Sequence, residues 1–194
     1  MTTLYLAVPC YNEEEVLYDT TEKLLLKMES LIHSEKISQN SRILYIDDGS
    51  KDKTWQIICD LHARFRLVAG CKLSRNRGHQ NALYGGLMAA KEHADAVISI
   101  DADLQDDIDA IDRMLEQYEA GYDIVYGVRS KRRPDTFFKR VTAEGFYKFL
   151  RFMGAEIVFN HAYYRLMSKR ALDAFAEYKE VNLFLRGLVP MIGF

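Results

Sequence analysis

Five short apolar runs, each ending in a polar or glycine-bearing motif, most constrain how this chain can fold. They are "LYLAVP" (4–9), "RILYID" (42–47), "RLVAGCKL" (66–73), "AVISID" (96–101) and "YDIVYG" (122–127). Their length and content read as buried strands. Between them apolar residues recur at helical spacing: Leu17, Leu24, Met28 and Leu31, then Leu83, Leu87 and Ala90, then Ile108, Ile111, Leu115 and Tyr118. Strand–helix alternation of this kind implies an α/β fold, a mostly parallel sheet flanked by helices on both faces. Ligands of such sheets bind beyond the carboxyl ends of the strands. The motifs that follow the runs are therefore where function is to be sought.

A length of 194 residues, 48% of them hydrophobic and 28% charged, suits one domain with a full core, or one domain with a small appendage. The net charge of −2 gives no global pull toward nucleic acid or an anionic membrane, so any basic surface must be local. Cys10, Cys59 and Cys71 lie far apart without CxxC spacing. They argue against a disulfide framework or a cysteine zinc site and fit a reducing cytoplasm. No basic segment precedes the first run, so no secretory signal is expected, and no apolar run reaches the ~18 residues that span a bilayer. The chain ends on "LFLRGLVPMIGF", which reads as a truncation point with a further C-terminal part to follow.

"VPCYNEE" (8–14) closes the first run. Pro9 is expected to stop the strand and Asn12 to cap a helix that begins among the glutamates. "IDDGSKDKT" (46–54) closes the second. Gly49 there suits a turn at positive φ, with Ser50 or Asp52 capping the next helix. Capping needs one acceptor, so the pair Asp47 and Asp48 offers a carboxylate for a nucleobase or ribose. "LSRNRGHQNALYGG" (73–86) places Gly78 and polar residues at a helix start, where free N–H groups can receive phosphate or sugar oxygens. It lacks the phosphate-loop lysine and GxGxxG, which argues against an ATPase or a dinucleotide enzyme. His79 reads as a helix-start hydrogen-bonder.

"DADLQDD" follows the fourth run, and six Asp lie between Asp101 and Asp112 with no Lys or Arg before Arg113. Their repulsion asks for a cation. Asp101 and Asp103 at a strand end, with Gln105 adding an oxygen, suit Mg²⁺ or Mn²⁺, which also shares nucleotide phosphates. The duller reading is a helix start that favours acids, and Asp106, Asp107 and Asp109 fit it. From Arg129 to Arg151 eight Lys/Arg meet two acids among Phe137, Phe138, Phe146, Tyr147, Phe149 and Phe152. This is a basic helix, either a solvated face over an aromatic core face or a positive wall toward diphosphate and a membrane surface. No RNA-binding signature accompanies it. A short strand near 163–167 and further helix come after.

Taken in order, "VPCYNEE", "IDDGSKDKT", "LSRNRGHQNAL", "DADLQDD", "YGVRSKR" and "YYRLMSKRAL" resemble glycosyltransferase family 2, and within it the polyprenyl-phosphate glycosyltransferases. The resemblance covers essentially the whole chain. It implies a GT-A (Rossmann-like) fold in a single catalytic domain over 1–194, with a nucleotide-sugar-binding half (1–128) and an acceptor-side half (129–194). It implies that Pro9, Tyr11 and Glu13 line the nucleotide pocket and that Asp47 or Asp48 holds the base and ribose side. Asp101, Ala102 and Asp103 would flank the diphosphate, with Asp101, Asp103 and Gln105 toward the metal and Asp103 also catalytic. Arg129 and Arg140 would face phosphates. The implied reaction is an inverting transfer from a nucleoside-diphosphate sugar (UDP-glucose is the guess) to a polyprenyl phosphate. The implied cofactor is Mg²⁺ or Mn²⁺, and the implied place is the cytoplasmic, inner face of the membrane in the full-length protein. No nucleic-acid partner is expected, and a homo-oligomer is left open.

Two departures bear on this. The family continues into membrane-associated elements that this chain lacks. Relatives also read Ala-Asp-Tyr/Phe-Arg-Leu where this chain reads "AYYRL", so Tyr163 stands at the position of the family's acid. A phenol is a poor base at neutral pH, which weighs against a hydroxyl acceptor more than against an already anionic lipid phosphate. The alternative is a domain that binds nucleotide sugar but transfers it weakly. A nucleotidyltransferase would need a Gly-rich basic loop that "VPCYNEE" is not.

Overall fold

The computed structural model describes residues 1–128, 161–178 and 185–193. Within them the order is β1 (Leu4–Cys10), α1 (Leu17–His33), β2 (Arg42–Asp47), α2 (Thr54–Arg64), β3 (Val68–Lys72), α3 (His79–Ala90), β4 (Ala96–Ser99), α4 (Ala110–Glu119), β5 (Ile124–Val128), β6 (His161–Ser168), α5 (Lys169–Ala176) and α6 (Leu185–Met191). The strands form one sheet in the order β3-β2-β1-β4-β6-β5. β1 pairs in parallel with both β2 and β4, and β2 with β3. β6 runs antiparallel to β4 and β5. The sheet is mostly parallel, as the alternation requires, with one reversed strand.

Side-chain alternation along the strands builds two cores. Leu4, Leu6, Val8, Ile43, Tyr45, Ile98 and Leu166 pack beneath α1, α2 and α4, where Leu17, Leu24, Met28, Leu31, Ile111 and Leu115 are buried. Ala7, Leu44, Ile46, Val97 and Met167 pack on the other face against Leu83, Leu87, Leu172 and Phe175. Gly86 lets α3 lie close on β2, since a Cβ there would meet Ile46 Cγ1 at 2.4 Å.

Pro9 does not end its strand, which runs on to Cys10 and pairs Pro9 with Ile46. The side of β1 that Pro9 shares with Ala7 faces β4, whose pairing stops at Ser99 opposite Ala7. The missing N–H therefore falls past the end of that ladder. Nor does Asn12 cap α1, which begins at Leu17 with no side-chain cap. Asn12 takes φ 56°, accepts from the Lys51 N–H at 2.9 Å and donates its own N–H to Ser50 Oγ at 3.0 Å. It ties the β1 loop to the β2 turn.

The acidic run divides in two. Asp109 is not a side-chain cap of α4; it and Asp112 face Lys27 of α1 at 2.7 and 2.5 Å, and Asp112 also meets Lys36 at 3.0 Å. The second part of the run thus finds its positive charge in Lys27 of α1 and in Lys36 just beyond that helix. Burial alone would raise the Asp112 carboxyl, but hydrogen bonds from Lys27 and Lys36 outweigh it and hold it below its ordinary value.

Candidate active site

The carboxyl ends of β1, β2, β3 and β4 open onto one edge of the sheet. The β2 turn fixes most of that edge. Gly49 sits at φ 69°, and a Cβ on it would fall 2.6 Å from the Arg75 carbonyl carbon, so only glycine lets the two loops pack backbone to backbone. Asp48 then accepts from the N–H groups of Arg77 (2.7 Å) and Gly78 (2.9 Å). The N–H groups that could have cradled a phosphate hold a carboxylate of the protein instead. Asp47 accepts from Ser50 N at 3.1 Å, and its Oδ2 has no hydrogen-bond partner, with Lys72 Nζ 3.8 Å away. Asp47 and Asp48 are 0% and 2% exposed, both at this same edge, and their carboxylates brace the loops there.

Gly78, at φ 86°, is the N-cap residue of α3 and delivers His79 as the first helical residue. His79 Nε2 lies 3.8 Å from Asp101 Oδ1, just past the end of β4. Its ring packs on that of Tyr163, centroids 4.5 Å apart and 47° inclined. Ser99 Oγ donates to the Tyr163 carbonyl, which pins β6 beside the end of β4. The position of the family's acid is thereby brought within one imidazole of Asp101.

The Asp101–Gln105 turn is held from both sides. Thr20 Oγ1 of α1 donates to the Ala102 carbonyl at 2.5 Å, which makes the buried Ala102 a fixed point. Leu104 takes φ 47°. Asp103 accepts from the Gln105 side-chain amide at 2.7 Å and its N–H at 3.2 Å, so Gln105 orients Asp103. Across the opening stands Glu13, whose N–H donates to Thr54 Oγ1 at 2.8 Å. Burial pushes its carboxyl up, and the charges of Asp103, Asp52 and Asp101 push it further. Glu13 thus feels three other carboxylates, and Tyr11, two residues before it, is exposed.

Among the described residues no three His, Cys, Asp or Glu side chains close on one point as an all-protein metal cage would. Mg²⁺ and Mn²⁺ do not need one, because one or two carboxylates with phosphates and waters complete their shell. Asp101, Asp103 and the neighbouring Gln105 fit such an ion, and their mutual repulsion gives it a place. Pro9, Tyr11, Glu13, Asp101, Ala102, Asp103, Gln105 and Tyr163 therefore gather at one edge, while Arg129, Arg140 and the basic stretch 129–151 lie outside the described residues. His79 is the residue that the sequence reading took only as a helix-start hydrogen-bonder; it does begin α3, and it also reaches Asp101 and Tyr163. The signal that marks it is its position directly after a positive-φ glycine at a strand–helix junction. No helix among the described residues is long and apolar enough to cross a membrane.

Comparison with known proteins places these features in context. The family model described as "Glycosyl transferase family 2" matches residues 5–175. The chain is 52% identical over 191 residues to the uncharacterized glycosyltransferase YkoT of Bacillus subtilis, covering 98% of this chain and 57% of the relative. It is 39% identical over 194 residues to the bactoprenol glucosyl transferase of Shigella phage SfX, covering 97% and 59%. The chain thus spans under two thirds of the length of these relatives. Among solved structures it is similar to Mycobacterium tuberculosis glucosyl-3-phosphoglycerate synthase in complex with Mn²⁺, UDP-glucose and phosphoglyceric acid, with TM-score 0.61, 17% identity and 89% and 59% coverage. It is similar also to Staphylococcus aureus TarS in complex with UDP-GlcNAc, with TM-score 0.58, 16% identity and 98% and 52% coverage. At such identities the likeness is one of fold, and the fold is GT-A.

Proposed function

The chain belongs to glycosyl transferase family 2, and from that premise we propose that it transfers a sugar, with inversion, from a nucleoside-diphosphate sugar to a polyprenyl phosphate. The observation that carries this reading is the placement of Asp101 and Asp103 on the turn that follows β4, at the same carboxyl edge where Glu13 follows β1. Such an acidic edge suits a diphosphate donor only with a divalent cation present. Mg²⁺ or Mn²⁺ there would neutralise the diphosphate and the charge that gathers on it as the sugar departs. UDP-glucose is the proposed donor, supported by the bactoprenol glucosyl transferase relatives and by neighbours crystallised with UDP-sugars.

In this reading Gln105 holds Asp103 toward the diphosphate, and Tyr11 and Pro9 flank the nucleoside. An oxygen of the acceptor phosphate attacks the anomeric carbon. The bond from that carbon to the diphosphate oxygen breaks, and its electron pair leaves with the nucleoside diphosphate. The acceptor oxygen is already anionic, so no proton has to be removed and Tyr163 is tolerated at the acid's position. The proposed site of action is the cytoplasmic face of a membrane, where such an acceptor resides.

One observation favours a second reading, a donor-binding domain with weak transfer. The Tyr163 ring packs on His79 beside Asp101 and fills space that an aspartate would leave to substrate. UDP release from UDP-glucose with Mn²⁺, with and without detergent-solubilised polyprenyl phosphate, separates the two. Acceptor-stimulated release by the chain supports transfer. Release that lacks stimulation until Tyr163→Asp raises it tenfold or more, within the usual range for a placed acid or base, supports the second. No release by either form, with UDP still bound, overturns the transferase reading for this chain.

A further inference from the structure

Four exposed cations cluster on two adjoining loops at the carboxyl edge of the sheet. Lys51 and Lys53 lie on the β2–α2 turn and Arg75 and Arg77 on the β3–α3 loop, all exposed. Elsewhere Lys23 meets Asp19, Lys36 meets Asp112, and Lys91 and Lys169 both meet Asp173, while Arg42, Arg64 and Arg66, which also lack a carboxylate among the described residues, lie at the opposite edge, by the start of β2 and between α2 and β3. Among the described residues no carboxylate lies within ion-pair distance of Lys51, Lys53, Arg75 or Arg77.

The two loops form one surface. Asp48 on the first accepts from Arg77 and Gly78 on the second, and Gly49 packs against the Arg75–Asn76 backbone. The acids within reach are already engaged. Asp47 and Asp48 are buried, Asp52 accepts from the N–H groups of Thr54 and Glu14, and the Glu14 carboxylate accepts from the Lys53 N–H. Lys72 extends the same rim, its ammonium 5.4 Å from the Trp55 ring centroid. Because β2 and β3 run parallel to β1 and β4, the rim projects from the edge that carries Asp101 and Asp103. At ~4.8 Å between strands it starts roughly 10 Å to one side of them.

We propose that this rim docks the carboxyl edge of the sheet onto an anionic bilayer surface and so presents the donor site to a lipid-borne acceptor. The proposal rests on the acceptor reading above and adds the surface that meets the membrane. A net charge of −2 draws the whole molecule to no anionic surface, so attraction has to come from a patch whose charges are not already neutralised. Each such cation near an anionic leaflet strengthens partition roughly fivefold, and salt screens the effect within about a Debye length.

The test is co-sedimentation of the 194-residue chain with phosphatidylcholine vesicles, plain or containing about one third phosphatidylglycerol, and free of polyprenyl phosphate. The chain should partition onto the anionic vesicles and not the plain ones. The variant with Lys51, Lys53, Arg75 and Arg77 all changed to Gln should lose at least tenfold. A control with Lys23, Lys36, Lys91 and Lys169 changed to Gln removes the same charge elsewhere and should stay within about twofold. Equal losses in both variants, wild-type partition by the first variant, or equal partition onto plain vesicles overturns the proposal. So does weakened UDP affinity in the first variant with vesicle partition unchanged, which would assign the rim to the donor. Retention on a single-stranded oligonucleotide without vesicle partition would assign it to nucleic acid and likewise overturn docking. UDP release with detergent-solubilised acceptor needs no bilayer, so failure here is distinguishable from failure of the transferase reading.

Discussion

Asp103 is held outward by a turn in which Leu104 accepts φ 47° and Gln105 folds back onto the carboxylate. A positive φ on a leucine costs about 1 kcal/mol, which the turn bears to keep Asp103 beside Asp101 and opposite Glu13. UDP should therefore raise the thermal midpoint of the chain with Mn²⁺ and not with EDTA. Asp103→Asn should weaken that metal-dependent affinity tenfold or more while leaving the unliganded midpoint within about 2 °C. Equal shifts with EDTA and Mn²⁺ in the wild type would remove the metal from this edge. How far single residues were legible depended on what they bond to. An Asp-x-Asp at the end of an apolar run announces its placement, because strand direction alone carries it to the edge. Asp48 and Asn12 did not, because their partners lie in other loops, at Arg77, Gly78, Ser50 and Lys51. No local pattern reveals a bond across 29 or more positions. His79 was visible only as a helix start, since its neighbours Asp101 and Tyr163 come from β4 and β6.

Between elements, the same limit falls on side chains rather than on backbone. The five apolar runs foretold β1 to β5 closely, the central β1, β2 and β4 because they are almost wholly buried and read as continuous runs, the edge strands β3 and β5 although they are only partly buried. Only the reversed direction of β6 was not foreseen, because a strand's hydrophobicity does not encode its polarity. The acidic run before α4 was read as a helix start or a metal site, yet Asp109 and Asp112 reach back to Lys27 and Lys36 and tie α4 to α1. Lys27, with 15% of its side chain exposed, makes this more than a surface pair. Asp112→Asn should cost about 1 kcal/mol at neutral pH, at the upper end for exposed pairs because Lys27 is left partly buried. The Asp112 carboxyl lies below its ordinary value in the folded chain. Its contribution is therefore full above the unfolded pKa near ~4 and is lost as pH falls through the lower folded value. The gap between wild type and Asp112→Asn in urea midpoints should thus be constant from neutral pH to about 5 and close below about 4. A gap that persists into that acid range would mean that Asp112 acts through packing alone.

At the scale of the whole molecule, the sheet is polarised. Its carboxyl edge carries turns at positive φ in strand-to-helix loops (Asn12, Gly49, Gly78 and Leu104), the acidic residues and the basic rim, whereas positive φ at the opposite edge falls just past helix ends (Glu35 and Gly121). The opposite edge is closed by ordinary structural bonds, such as Thr3 N–H to Asp95 at 2.7 Å and Leu4 N–H to Ser41 Oγ at 3.0 Å. Regular structure in the middle thus supports the longer strand-to-helix loops of the carboxyl edge, and irregular backbone opens locally at low cost. A ligand that binds that end should still its turns and leave the other end untouched. Hydrogen exchange with and without UDP and Mn²⁺ reads this directly. Protection should rise in peptides covering residues 10–14, 73–80 and 101–106, by tenfold or more at saturating ligand. Peptides covering 38–41 and 92–95 should be unchanged, and all protection should vanish when EDTA replaces Mn²⁺. Protection spread evenly over both edges would report global stabilisation, with no information on place. Protection confined to the α1–α2 groove around Tyr18, Leu25, Leu26 and Phe65 would move the nucleotide to the far side of α1. That result would take Asp101 and Asp103 out of the donor site, whatever the family resemblance implies.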